Sequence, residues 1–236
     1  MHSSNGPTLL GPRYFKVANA IREDLVRGEF QPGQRLKTNE LATRYGTGSN
    51  TVREALQQLN GEGWIILAPN RGAVVRPLTR KVIVDIYEMR EALEVCTARS
   101  FVENASNNDI RELSEIQDRF EEAAQQGDTI ECSVLNGNFH RFINQCAGNE
   151  EITKIIDNYG RLMSSIRRYV GYGRARADRV ISDHRLLIEA FRDRDADRAA
   201  SITSEHLRVS CEDILANYLT DVDHVAGSFV SDAVGA

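Results

Sequence analysis

At 236 residues, with 41% apolar and 27% charged side chains, the chain can bury two modest cores and is expected to be a soluble protein. Its net charge of −5 argues against a nucleic-acid binder that is basic throughout. The sequence has no run of eighteen apolar residues, so we exclude a membrane-spanning helix. It has no secretory signal pattern before Pro12 and no Cys-x-x-Cys pair. We therefore exclude a disulfide-stabilised fold and expect a cytoplasmic protein.

The first third of the chain predicts a small domain with three helices and a β-wing. Residues 1–11 are rich in Ser, Asn and Gly and are expected to be disordered. Helical spacing predicts one helix from Pro12 to Gly28, and a second from Thr38 to Tyr45. A third helix, capped by Ser49 or Asn50, precedes two β-rich runs joined by a Pro-Asn-Arg-Gly turn. We predict a winged helix-turn-helix domain over residues 12–77.

In such a domain the N-terminal residues of the third helix reach base edges in the major groove of DNA. The outward side chains there are Ser49, Asn50, Thr51 and Arg53. Those expected near backbone phosphates are Arg35, Lys37, Thr38 and Arg44, while Arg71 and Gly72 at the wing tip suit the minor groove. Residues 1–78 carry ten Lys/Arg against six Asp/Glu, and the remainder nineteen against twenty-eight, as expected for a phosphate-binding domain joined to a non-binding one. The alternative is a small α+β domain with Arg53 in a surface ion pair.

Several motifs in this segment resemble the winged-helix domain of GntR-family transcriptional regulators. They are Gln34-Arg-Leu36, Glu40-Leu-Ala42, Thr51-Val-Arg-Glu-Ala-Leu56, Gly61-Glu-Gly-Trp64 and Pro69-Asn-Arg-Gly-Ala73. The resemblance implies that Arg35, Arg53 and Gly72 contact DNA. The family commonly has a Ser-Arg pair where this chain has Gly48 and Ser49. The resemblance therefore does not imply that the chain binds the DNA operator sequence usual for the family.

After Pro77 the pattern becomes entirely helical. No β-rich run interrupts residues 79–219, and breaks fall near 104–108, 127–128, 148–149, 171–173 and 194–195. Short connections of this kind predict about six antiparallel helices in an all-α bundle over residues 79–220. We expect the tail, residues 222–236, to be disordered.

Three histidines of this bundle form a candidate metal site. Asn136 and His140 are four residues apart and therefore share one helix face. His184 and His206 belong to two later helices, and three imidazoles from three helices can converge on one divalent ion. Histidines that are merely half-buried are the alternative reading of the same spacing.

A second resemblance bears on this site. Asn136-Gly-Asn-Phe-His140, Ala147-Gly-Asn149, His184-Arg-Leu-Leu-Ile-Glu-Ala190, Arg194-Asp-Ala-Asp-Arg-Ala199 and His206 resemble the FCD sensor domain of the FadR branch. That resemblance implies a metal held by one carboxylate and three histidines, but here the carboxylate position is Asn136. An amide oxygen brings no charge, so Zn²⁺ or Ni²⁺ is favoured over Mn²⁺.

Arg90 is the candidate effector contact. It lies in the otherwise apolar stripe of its helix, beside Tyr87, and a buried guanidinium needs a partner. The carboxylate of a ligand is one such partner because the guanidinium fork binds it in a bidentate manner. Glu94 or an acid on a neighbouring helix is the other.

Together these features predict a ligand-responsive transcriptional regulator, more in keeping with a repressor, and not an enzyme. A homodimer would place two recognition helices on a pseudo-palindromic operator. A small carboxylate or sugar acid would bind in the metal-containing helical domain. One alternative is a metal-dependent hydrolase or lyase using the three histidines, although no His-Glu-x-x-His motif is present. Another is a DNA-organising protein without an effector.

Overall fold

A computed structural model describes residues 12–68, 72–170 and 173–226 of the chain. The chain divides into two compact units, Met1–Pro77 and Leu78–Ala236. The predicted disordered segment 1–11 lies outside the described residues.

The first unit contains three helices and a small antiparallel sheet within the residues described. The helices are α1 (Arg13–Val26), α2 (Thr38–Arg44) and α3 (Ser49–Gly61), and the strands are β1 (Arg35–Leu36), β2 (Ile65–Ala68) and β3 (Gly72–Val75). The strand order is β1-β3-β2, with Ala73 of β3 opposite Leu36 on one side and Leu67 on the other. Sequence patterns predict only the β2–β3 pair, since a two-residue strand is too short to show alternation.

An apolar core fixes the orientation of the third helix. Val52, Leu56 and Leu59 of α3 are buried, as is Ile21 of α1, and Trp64 follows immediately after α3 with 1% of its surface exposed. The turn between α2 and α3 passes through Gly46, whose φ of +59° is in the left-handed region that glycine adopts without a steric penalty. Because one face of α3 is buried in this way, its opposite face is exposed.

The second unit is all-α in its described part. Its helices are α4 (Arg80–Asn104), α5 (Asn107–Gln126), α6 (Thr129–Cys146), α7 (Glu150–Val170), α8 (Arg174–Arg192) and α9 (Ala196–Ala226). All five predicted breaks coincide with helix boundaries. The predicted fold class, a winged helix-turn-helix domain followed by a bundle of about six helices, is confirmed.

Helix ends in this unit follow from local chemistry. Ser106 and Asp109 form a capping box at the start of α5, and Gly127 ends that helix with a φ of +72°. Residues 222–226 were expected to be disordered, but they belong to the last helix. The helix continues to Ala226 because no Gly or Pro interrupts the sequence before Gly227. Residues 227–236 lie outside the described part. Among the described helices, none combines the length and the apolar content that crossing a membrane requires.

The bundle core contains two apolar clusters, and His184 contacts an aromatic ring of each, Phe139 and Phe120. Phe101 of α4 packs on Phe191 of α8 with ring centroids 4.4 Å apart, within a cluster that includes Phe139. The ring of Phe139 stacks in parallel on that of His184 at 3.8 Å. The same aromatic residue therefore belongs to the core and supports a predicted metal ligand.

Candidate nucleic-acid interface and metal centre

The exposed edge of α3 carries two of the predicted base-reading side chains. Asn50 and Arg53 are both exposed, and Arg53 Nη1 donates a hydrogen bond to Asn50 Oδ1 at 3.1 Å. Ser49 and Thr51 are half-buried, and Ser49 Oγ lies 3.5 Å from Asn39 Oδ1 on α2. This edge is an amide and a guanidinium side by side, the two groups that read adenine and guanine in the major groove.

The wing brings a third predicted contact beside its glycine. Gly72 has a φ of +78°, and a Cβ added there would lie 3.9 Å from Nε of Arg35. Arg35 is exposed on β1, whose neighbouring strand is β3. Arg71, the other predicted wing residue, lies outside the described part of the chain.

The remaining predicted phosphate contacts surround α2. Lys37 is exposed and pairs with Glu40 at 2.7 Å, an exposed ion pair of a kind that contributes little stability. Thr38 is the first residue of α2 and is half-buried. Contact of either residue with DNA stays a prediction.

Arg44 has a different environment from the one expected. Its guanidinium binds the buried Asp24 at 2.8 Å and reaches Glu29 at 3.4 Å. Tyr45 also donates to Asp24, at 2.7 Å, and burial together with this hydrogen bond raises the pKa of Tyr45. These ion pairs indicate that Arg44 holds α2 against α1. Contact of Arg44 with a phosphate stays a prediction.

In the second unit, three helices bring three histidines together. His140 is on α6, His184 on α8 and His206 on α9, and each pair of rings has centroids 5.2 Å apart. One ring nitrogen from each lies within 4.8 Å of those of the other two. His184 and His206 are only 1% and 5% exposed. The predicted convergence of the three imidazoles is therefore present in the fold.

Each imidazole has an oxygen near its Nδ1 atom that comes from another helix. These oxygens are Glu94 Oε2 at 3.4 Å from His140, Gln117 Oε1 at 2.8 Å from His184 and Asp183 Oδ2 at 3.0 Å from His206. The two carboxylates only accept hydrogen bonds. The amide of Gln117 donates to Glu121 through Nε2, so its oxygen faces His184 as an acceptor too. With an oxygen acceptor near each Nδ1, the three rings are oriented so that Nε2 is the nitrogen that can bind a metal.

Asn136 provides a direct test of whether these residues fit a metal. It lies one turn before His140 on α6 and is 6% exposed. Its Oδ1 is buried without a hydrogen-bond partner among the described residues, a condition that costs about 1–3 kcal/mol unless something else satisfies the oxygen. A neutral nitrogen-rich donor set with one orphaned oxygen fits a divalent ion.

Arg90 is paired with Glu94, the second of the two partners that the sequence analysis considered. Its Nε donates to Glu94 Oε1 at 2.7 Å, and both residues are at most 5% exposed. Tyr87 lies under the guanidinium, with Cζ of Arg90 5.0 Å from the ring centroid, in cation–π geometry. Contact of Arg90 or Tyr87 with an effector stays a prediction, whereas the ion pair with Glu94 is part of the fold.

A cleft of about 380 Å³ between α8 and α9 reaches the histidine cluster. Asp183 and His206 form part of its wall, and Arg176, Arg179 and Ser210 add hydrogen-bonding groups. Arg176 is ion-paired with Asp213, another lining residue. The cleft thus offers donors and acceptors to a small polar molecule beside one candidate metal ligand.

Sequence reasoning missed three residues that organise this site: Glu94, Gln117 and Asp183. A signal for Gln117 was present, because it occupies a core position of α5 between Leu113 and Phe120, where an apolar side chain is expected. Glu94 was considered only as a partner of Arg90. Asp183 is a direct neighbour of His184 in sequence and gives no sign that it binds His206 instead.

An exposed reading edge on a winged helix, followed by a helical unit with a ligand-type centre, is the architecture of a DNA-binding regulator. Comparison with known families agrees. Residues 13–75 match the bacterial regulatory proteins of the gntR family, and residues 85–209 match the FCD domain.

Relatives and solved structures support the same assignment. The gluconate operon transcriptional repressor of Bacillus subtilis is 30% identical over 201 residues, covering 81% of this chain and 79% of that protein. The regulator McbR of Escherichia coli is 26% identical over 182 residues, covering 76% and 82%. The structure of E. coli McbR/YncC has the same fold, with a TM-score of 0.74 at 23% identity, over 89% of this chain and all of that one.

The chain belongs to the GntR family of transcriptional regulators and carries an FCD domain. The resemblance stated from its motifs is confirmed for both domains. The relatives named above are regulators, in agreement with the prediction that the chain is not an enzyme.

Proposed function

We propose that this regulator is a metal-containing repressor that binds its operator as a homodimer in the cytoplasm and responds to a small organic acid. The observation that carries the proposal is the convergence of His140, His184 and His206 in the helical unit that follows the DNA-binding unit in sequence, with an oxygen acceptor near every Nδ1. Repression is favoured by the gluconate operon repressor among its relatives.

The metal would be held by the Nε2 atoms of the three histidines, with Asn136 Oδ1 as a fourth donor. Imidazole and amide donors suit Zn²⁺ or Ni²⁺ better than Mn²⁺, which prefers carboxylates. When bound, the ion supplies a Lewis-acidic position to which an oxygen of the effector can bind. The protein's own part is to fix the three rings in one tautomer and to limit the access of water.

We place the effector in the cleft between α8 and α9, because His206 forms part of its wall. Arg179 is exposed there and can pair with a carboxylate, while Ser210 and Asp183 can bind hydroxyl groups. The charged residues of the lining are two arginines and three acids, so the cleft is not strongly cationic. That mixture suits a hydroxylated monocarboxylic acid, such as a sugar acid, better than a polyanion.

On the DNA side, Asn50 and Arg53 are proposed to read bases, with Ser49 and Thr51 packed at the edge of the same surface. Arg35, Lys37, Thr38 and Gly72 are proposed to follow the backbone and the minor groove, together with Arg71. Two such surfaces in a homodimer would contact two half-sites one helical turn of DNA apart. The effector must bind one arrangement of the dimer more tightly than the other, or it regulates nothing.

A two-stage experiment tests this function. The full chain is first used to select binding sites from random duplex DNA. The Zn²⁺-loaded protein is then screened against sugar acids and other small carboxylates, with and without chelator, for a shift in melting temperature and for release of the selected DNA. We expect a hydroxylated acid to do both only when the metal is present.

Arg179→Ala should weaken the response to that acid by about tenfold or more, since one charge-assisted pair is lost. Arg174→Ala is the matched control, because Arg174 lies on the same helix outside the cleft and pairs with Asp178. If no acid changes either the melting temperature or the DNA affinity, an effector-free DNA-organising protein is the better reading. Consumption of an acid during the screen would instead favour an enzyme.

A further inference from the structure

Glu94 of α4 occupies a position between a buried cation and a candidate metal ligand. It is 3% exposed, and its two oxygens have different partners. Oε1 accepts from Arg90 Nε at 2.7 Å, and Oε2 lies 3.4 Å from His140 Nδ1. The carboxylate is thus oriented from one side by a guanidinium and directed on the other toward an imidazole.

The proposed metal ligands carry no negative charge, and this suggests a role for the Glu94 carboxylate beside them. Three neutral imidazoles and the amide of Asn136 bring no negative charge to a divalent ion. An uncompensated charge in a protein interior is strongly disfavoured. Of the three Nδ1 acceptors, Gln117 is neutral and the side chain of Asp183 is 27% exposed at the cleft. Glu94 is the one carboxylate among them that is fully enclosed.

We propose that Glu94, held by Arg90, is a positioning residue that provides the metal site with the negative charge that Asn136 does not bring. Through the Nδ1–H of His140 it fixes the ring and makes Nε2 a stronger donor. The inference rests on the proposed metal centre but assigns a role to a residue outside its ligands. It also accounts for a buried ion pair that would otherwise add little stability over two apolar side chains.

The proposal predicts that a carboxylate at position 136 and the one at position 94 partly replace each other. With Asn136→Asp, the ligand set itself carries a charge, and the contribution of Glu94 to metal affinity should fall. A purely structural Arg90–Glu94 pair would show no such dependence, because its effect on folding is independent of the ligand at position 136.

The first experiment compares Glu94→Gln with Glu91→Gln. Glutamine keeps the size of Glu94 and removes its charge, and its single amide oxygen can accept from only one of the two partners, Arg90 or His140. Glu91 lies on the same helix and bonds Ser204 rather than a histidine. Zn²⁺ affinity of the full chain is measured at constant pH by competition with a chromophoric chelator, and the visible spectrum of the Co²⁺-loaded protein is recorded. We expect Glu94→Gln to bind Zn²⁺ about 10- to 100-fold more weakly and to shift the Co²⁺ bands, with Glu91→Gln unchanged.

The second experiment repeats Glu94→Gln in the Asn136→Asp protein, where the loss of affinity should be several-fold smaller. If Glu94→Gln does not fold, Arg90→Met/Glu94→Met removes both charges with apolar replacements of similar length, and should fold yet bind Zn²⁺ more weakly. Wild-type affinity and an unchanged Co²⁺ spectrum in the folded Glu94 variants would overturn the inference. A wild-type protein that binds no Zn²⁺ would instead reject the proposed metal centre itself.

Discussion

The two units use their polar side chains in opposite ways. In the winged-helix unit, Asn50 and Arg53 are exposed on a helix whose other face is packed into an apolar core. In the helical unit, His184 and Gln117 are at most 1% exposed and lie within the core. Substitutions of the exposed side chains should therefore alter the function of the first unit with little loss of stability. In the second unit, the buried polar side chains contribute to both the candidate site and the stability of the core. The single tryptophan, Trp64, reports on the first unit, which allows the two to be followed separately.

The largest expected effect is the loss of metal-linked stability in His184→Ala. At a free Zn²⁺ concentration 100 times its dissociation constant, the wild-type protein should gain about 2.7 kcal/mol. The variant lacks one of three histidine donors and should gain nothing. Thermal melts followed by circular dichroism at 222 nm, with and without chelator, measure the gain, and elemental analysis measures bound metal.

Trp64 fluorescence is the control in that experiment, since it should report an intact winged-helix unit in the variant. Equal Zn²⁺-dependent stabilisation of the wild type and His184→Ala would show that the histidine cluster is not the metal site. The functional residues of the second unit would then no longer be identified with its buried core, in contrast to the exposed ones of the first unit.

Next in size is the effect of Arg53→Ala on DNA affinity. A bidentate contact to a base contributes about 1–3 kcal/mol, so each half-site should weaken by roughly 5- to 150-fold. The unfolding of the unit, followed by Trp64, should be unchanged because Arg53 is exposed. Fluorescence anisotropy with the selected operator measures binding, with Arg27→Ala at the C-cap of α1 as a charge-matched control. If Arg53→Ala binds that operator as tightly as Arg27→Ala, α3 is not the reading helix.

An intermediate effect is expected at the Asp24 network, where the first unit does bury a charge. Asp24→Ala leaves Tyr45 and Arg44 without their shared acceptor and should lower the free energy of unfolding by about 1–3 kcal/mol. Urea unfolding monitored at Trp64 measures this loss.

Arg44→Ala and Arg35→Ala separate structure from DNA contact within the same unit. Each phosphate contact contributes about 0.9 to the dependence of log K on log salt concentration. Because a homodimer would lose one contact at each half-site, Arg35→Ala should reduce that slope by about 1.8, and Arg44→Ala should leave it unchanged. A reduced slope for Arg44→Ala would return that residue to the DNA interface.

The smallest effect concerns a helix terminus. The hydrogen bonds from Ser106 lower the pKa of Asp109, so its contribution to stability is present above the pKa of an unfolded aspartate, about 3.9, and is lost as pH falls through the folded value. Asp109→Asn should therefore lower stability by about 0.5 kcal/mol at pH 7 and by less at pH 3. Melting curves followed at 222 nm at the two pH values measure the difference. An equal loss at both would mean that the carboxylate charge has no role in the cap.

The fold was largely readable from sequence, and the reasons are local. Breaks that contain Gly or Asn mark the boundaries from α4 to α8, Arg194-Asp195 marks the one between α8 and α9, and helical spacing identifies the buried face of α3. Strand β1 was missed because two residues carry no periodicity. The ion pair of Arg44 was missed because its partner Asp24 is twenty positions away, and a sequence shows a charge without showing which residue pairs with it.

Of the candidate metal centre, the sequence predicted only the three histidines and Asn136. His140, His184 and His206 fall on predicted helices, and the resemblance to FCD domains grouped them. Their Nδ1 partners could not be found, because the partners of His140 and His184, Glu94 and Gln117, lie on other helices, 46 and 67 positions away. Such pairings depend on how the helices pack, which spacing does not determine.

Helix α4 is long enough that a small tilt at Glu94 would displace its N-terminal end noticeably. It has 25 residues, and it begins three residues after Pro77, where the first unit ends. Glu94 lies fourteen residues along it from Arg80, about 21 Å at 1.5 Å per residue. A tilt of about 5° around the Glu94–His140 contact would move the start of the helix by about 2 Å. A small change at the Glu94–His140 contact would thus become a displacement comparable to an atomic radius at the end of α4 that is joined in sequence to the DNA-binding unit.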